Sequence, residues 1–149
     1  QGLRIADAIR LGEDDPDAVG RWYSVLGTAI HVDRRRKEGH EDPIAFYRAV
    51  LEENGFRAAY ADAADDASHD AHLRAETELS LSRTGDDVGT PILTFHPGRE
   101  NEASFFGPVI SKAPRGAEAL ELWDAVEKLA TMSGVAELKR SNRIPPDFT

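Results

Sequence analysis

Apolar residues fall at helical spacing through the first part of the chain and at strand spacing only beyond its middle. Gln1 to Leu11 places Leu3, Ile5, Ala6 and Ile9 on adjoining faces of a helix, which Gly12 and the acidic run Glu13, Asp14 and Asp15 interrupt. Asp15 followed by Pro16 signals a second start, because an Asp oxygen accepts from first-turn amides and Pro gives up no donor needed there. That helix is predicted through Trp22, Tyr23, Val25, Leu26 and Ile30, closing near His31. The polar segment VDRRRKEGHED predicts a loop between Asp33 and Glu41. Asp42 and Pro43 repeat the start signal, and Ile44, Phe46, Tyr47, Val50 and Leu51 carry a helix that Gly55 ends. A short helix over Arg57 to Ala64 follows, then another over Ser68 to Arg83 with Leu73, Leu79 and Leu81, terminated by Gly85.

The period then changes. PILTFH and EASFFGPV are short β-prone runs joined by a turn of Pro, Gly and Asn, which predicts an antiparallel hairpin from about Ile92 to Gly107. Leu120, Trp123, Val126, Leu129 and Ala130 return to helical spacing, so a helix over Ala117 to Met132 is expected to cover one hairpin face. Pro145 and Pro146 keep the tail RIPPDFT extended. The fold class is therefore α/β and rich in helix. Two strands alone are marginal in water and expose unpaired edges, so something is expected to complete the sheet.

Composition narrows the function. The 149 residues are about one domain in size, and no apolar run approaches the roughly 20 residues that span a bilayer. A formal charge of -9, from 27 acids against 18 Lys and Arg, repels phosphate, so neither nucleic acid nor a membrane surface is an expected partner. With no cysteine, the chain holds no disulfide scaffold and no thiolate of its own. It begins at Gln1, already in helix-like sequence, so an N-terminal segment missing from this numbering is one expectation.

Four clusters carry candidate chemistry. In Val88, Gly89, Thr90 and Pro91 an X-Pro bond either takes the cis form and turns the preceding backbone toward a docked partner, or starts a strand in trans. His31 sits at a helix end, where an imidazole caps the helix, steadies a thiolate or moves a proton. Arg34, Arg35, Arg36 and Lys37 read either as a carboxylate-binding run or as a solvated loop compensated by Glu38, Glu41 and Asp42. His69 and His72 share a helical face with Asp66 and Glu76, but no further ligand set completes a metal site, so the reading is a solvated helix and no metal. Trp22, Trp123, Phe105 and Phe106 fall within apolar patterns and read as core or interface aromatics.

From Asp87 to Arg140 the ordered set DVGTP, FFGPVISKAPRG, LWDA and ELKR resembles the C-terminal part of actinobacterial DsbA-family proteins. It is closest to the branch of mycothiol-dependent nitroreductases and disulfide reductases, and TAIHVD is similar to a histidine-containing helix end of that branch. The resemblance implies a partial DsbA-like thioredoxin fold. Residues 1–86 would be an inserted helical domain, and 87–149 the C-terminal half of the thioredoxin-like domain, with cis-proline loop, hairpin, helix and tail. The strand, Cys-x-x-Cys helix and strand of that family have no counterpart here. The implied activity is thiol-disulfide exchange by a cytoplasmic oxidoreductase whose attacking sulfur lies outside this truncated chain. Val88, Gly89, Thr90 and Pro91 would bind a thiol or disulfide substrate with Pro91 in cis, mycothiol would serve as co-substrate with no bound cofactor, and His31 would be an auxiliary group. The alternative is a non-catalytic binding or oligomerisation module, a homodimer joined through the exposed hairpin edge.

Overall fold

A computed structural model of the chain describes residues 1–141 and 144–147. It is rich in helix and has one two-stranded antiparallel sheet among the described residues. Two compact units divide the chain, Gln1–Glu76 and Thr77–Thr149.

The first unit is helical. Helix α1 spans Gly2–Gly12, α2 Ala18–Gly27, α3 Arg36–Glu41 and α4 Pro43–Glu53. Its core gathers Ile5, Ile9, Trp22, Phe46, Val50, Leu51, Phe56 and Tyr60. Trp22 is the largest fully buried side chain, 1% exposed, and its indole Nε1–H donates to Gly2 O at 3.1 Å, which joins α2 to the first turn of α1. Leu3, expected on the apolar face of α1, is instead 66% exposed; Ile5 and Ile9 face the core. The second start signal acts as expected, with Asp42 Oδ1 accepting from Ala45 N at 3.0 Å and Pro43 opening α4, whereas α2 begins only at Ala18 behind Asp17, and Asp15 Oδ1 accepts from Asp17 N at 2.9 Å in the turn before it. Gly55 follows α4 at φ 76°, the left-handed region that glycine enters without a Cβ clash.

Three departures from sequence expectation have physical causes. α2 passes into a π-helical turn over Thr28–Val32, so the ladder widens before His31. The polar run expected as a loop contains α3, held by Arg35 to Glu38 and to Glu53 at 2.7 Å and by close approach of Gly39 to Phe46. The alanine-rich stretch is a 3₁₀ helix, Ala58–Asp65, followed by a 3₁₀ turn Ala67–His69. Three guanidiniums lie over aromatic rims of this unit: Arg21 over Phe56 at 5.2 Å, Arg35 over Phe46 at 5.5 Å and Arg57 over Tyr60 at 4.4 Å.

Helix α5, Asp70–Thr84, begins in the first unit and ends in the second, where Gly85 at φ 95° stops it. Strands β1, Ile92–Phe95, and β2, Ala103–Phe106, pair with Ile92 opposite Phe106 and Phe95 opposite Ala103. Helix α6, Ala117–Ala130, covers the face that carries Phe95, whose ring lies 5.3 Å from that of Trp123. On the other face Thr94 and Ser104 hydroxyls pair at 2.9 Å, and Arg83 Nη1 donates to Thr94 at 3.4 Å. The expected tail falls partly outside the described residues. Of it, Asp147 N donates to Ser111 O, Ser111 Oγ donates to Ile144 O at 2.8 Å, and Lys112 and Asp147 form a parallel bridge.

Candidate functional site

The segment after α5 is built by its two ends. Gly85 turns the chain out of the helix, and β1 takes it up again at Ile92. Between them Val88 is half-buried, while Gly89, Thr90 and Pro91 are exposed. The Thr90–Pro91 peptide is cis, as is Gly107–Pro108 on the facing strand end. The sheet pairing continues one step beyond the strands, because Gly107 N donates to Pro91 O at 2.8 Å. Pro91 thus has its carbonyl engaged and has no N–H to offer. Thr90, immediately before it, makes no hydrogen bond to any described residue. An exposed backbone N–H and C=O beside a pinned residue is an edge on which an extended ligand can add strand-like hydrogen bonds. Gly89 stands beside Phe106: a Cβ there would lie 3.6 Å from Phe106 Cε2, an ordinary contact.

His31 lies in the π-helical turn of the first unit and is exposed. Val88, Gly89, Thr90 and Pro91 lie in the second unit. The basic run divides by role. Arg35 is taken up by Glu38 and Glu53, Lys37 pairs with Glu41 at 3.5 Å, and Arg34 adopts φ 60° at the turn into α3.

His69 and His72 converge on a residue the sequence reading passed over. Asp7 on α1 has a side chain only 4% exposed, with His69 Nδ1 2.7 Å from Oδ2 and His72 Nε2 3.6 Å from Oδ1. Arg10 donates Nε to Asp7 Oδ1 at 2.8 Å. Burial pushes the Asp7 carboxyl up, but the His69 and Arg10 hydrogen bonds and the Arg10 charge outweigh it and leave it below the ordinary value. Asp66 does not join them; its carboxylate accepts from Ser68 N and caps the turn. Among the described residues no group of three or more His, Asp or Glu is arranged to hold a metal ion. Asp7 lies 62 positions from His69, so no local spacing could reveal the pair; an acid set between Ile5 and Ile9 was the available signal.

No helix among the described residues is long and apolar enough to cross a membrane. Residues 3–140 match the protein family described as Rv2466c-like, mycothiol-dependent nitroreductase Rv2466c. A relative from Mycobacterium tuberculosis (strain ATCC 25618 / H37Rv), called Uncharacterized protein Rv2286c, is 34% identical over 140 residues, 93% of this chain and 55% of that protein. The chain thus spans about half the length of the curated relative it matches.

Proposed function

Because the chain belongs to the Rv2466c-like family of mycothiol-dependent nitroreductases, we propose that it carries the substrate-side part of a DsbA-like thiol-disulfide oxidoreductase. In this reading residues 1–86 form the helical insertion and residues 87–149 the C-terminal half of the thioredoxin-like domain, and the protein works in the cytoplasm. The exchange is a thiolate attack on one sulfur of a disulfide. A new S–S bond forms, the old one breaks, and the leaving sulfur departs as a thiolate that takes up a proton. These 149 residues contain no cysteine, so the attacking sulfur comes from a low-molecular-weight thiol such as mycothiol or from protein outside them.

The chain's own part is to present the substrate. Thr90 offers its free backbone groups to an extended thiol or disulfide, with Val88 and Gly89 forming the adjoining wall and Pro91 held by Gly107. His31, exposed at its helix end, serves as an auxiliary proton carrier. The observation that carries this reading is the exposed, unbonded Thr90 beside the pinned Pro91. Titrating mycothiol disulfide into isotope-labelled chain tests it. Amide shifts confined to Val88, Gly89, Thr90 and Ile92 are expected, and an unchanged spectrum at millimolar ligand rejects the site.

A second reading, a binding module that dimerises, rests on a different observation. The hairpin has only two strands among the described residues, and Leu120, Trp123, Val109 and Ile110 near it are exposed. Joining two hairpin edges would give a continuous sheet about a two-fold axis. Light scattering distinguishes the readings, since a chain that stays monomeric at high concentration has no such interface.

A further inference from the structure

Helix α5 is held differently from α1, α2 and α4. α1, α2 and α4 bury Ile5, Ile9, Trp22, Val50 and Leu51, whereas none of the side chains of α5 is buried. Its leucines do not gather on one face opposite its charges, so it lacks the apolar stripe that fixes a surface helix to a core.

Charged contacts hold it instead: Arg83 near its C-terminal end pairs with Glu102 at 3.5 Å and donates to Thr94, and the contacts to α1 gather at its root. Arg4 on α1 forks Asp70, with Nε at 2.7 Å from Oδ1 and Nη2 at 2.9 Å from Oδ2, and its remaining nitrogen donates to Ala64 O at 3.2 Å. Three residues further along α1, Asp7 takes His69 at 2.7 Å and His72 at 3.6 Å. Two successive acid–base contacts therefore join one face of α1 to the first turn of α5 and the residue before it.

The balance of forces at such a joint differs from that at an apolar one. Separating a packed apolar face exposes area at about 25 cal/mol per Å². Opening a half-buried charged fork, its side chains 24% and 26% exposed, returns both partners to water, which offsets part of the loss. Asp7 is the one group that could not be left alone, since an unpaired buried carboxylate is strongly unfavourable. It keeps Arg10, on its own helix, when His69 leaves. Opening thus leaves Asp7 paired with Arg10 and takes no buried α5 side chain out of the core.

We propose that α5 is a detachable arm, latched to α1 through Arg4–Asp70 and Asp7–His69, that opens as a unit while the helical core stays folded. The arm ends at Thr84, and the chain runs on through Gly85 into Val88 and Thr90, so opening loosens the backbone that leads into that loop. The latch itself needs no ligand and does not depend on the loop's chemistry.

Hydrogen exchange on the full 149-residue chain reads this directly. Amides of Arg74 to Thr84 should exchange through a local opening while those of α4 exchange only on global unfolding. Asp70→Asn, a change at the part-exposed end of the latch, and His69→Gln should each speed exchange in α5 on the order of tenfold, with α4 unchanged. Equal protection of α5 and α4 in the wild type overturns the proposal. So does a uniform change, or no change, in both helices of both variants.

Discussion

The two units of this chain bury apolar residues to very different degrees. Gln1–Glu76 encloses Trp22, Ile5, Ile9, Leu51 and Val50 almost completely. Among the described residues of Thr77–Thr149, Phe95 and Ala130 are the buried apolar side chains, while Trp123 is 50% and Leu120 68% exposed. Helices close on one another without help, because each satisfies its own backbone and needs only a neighbour for one stripe. A hairpin does not, since one helix covers one face and leaves strand edges and the far rim in water. The contrast separates a unit whose stability comes from its own residues from one that keeps apolar surface available.

Several substitutions would break or sharpen that contrast. The largest effect is expected for Trp22→Ala, which removes a fully buried ring and the indole bond to Gly2; about 3–5 kcal/mol should be lost in denaturant unfolding. Trp123→Ala, half in water already, should lose less than half as much, and equal losses would mean the second unit is as closely packed as the first.

Next in size is Asp7. A carboxyl held below its ordinary value in the folded state stabilises the protein above the unfolded value, and that stability disappears as pH falls through the folded one. Asp7→Asn should therefore be weaker than wild type by about 2 kcal/mol at neutral pH. The gap should close below about pH 4, the carboxylate range. Thermal melting across that range checks it; a constant gap would show that His69 and Arg10 do not favour the charged form. The smallest effect is expected for Gly89→Ala, where a Cβ meets Phe106 at an ordinary distance: stability should move by under about 0.5 kcal/mol. Any loss of ligand-induced shifts in that variant would then report on the loop, not on folding.

What the sequence made legible followed local rules. Asp42 with Pro43, Gly55, Gly85 and the Pro-Gly turn between β1 and β2 each mark a boundary through their own backbone chemistry, and those elements fall close to expectation. What it hid depends on partners distant in sequence. α3 has no apolar period of its own and exists because Arg35 reaches Glu53, 18 positions away, and because Gly39 lets Phe46 close in. The pairing of His69 and His72 with Asp7 was hidden in the same way; on their own helix they read as solvent-facing. At the candidate site, the Val88–Pro91 segment was visible as a motif, whereas the Gly107 bond that holds Pro91 required the register of the hairpin.

The three arginines over aromatic rings carry a consequence for comparing this chain with its relatives. Arg21, Arg35 and Arg57 roof the aromatic rings of Phe56, Phe46 and Tyr60 with flat, weakly hydrated groups. A lysine at any of these positions would leave net charge and most similarity scores untouched. Its compact, strongly hydrated ammonium would not lie flat on the ring, and the edge of the core would be wetted. Among homologues, an arginine-to-lysine exchange at these positions therefore marks a change in where the core stops, although the charge pattern reads as conserved.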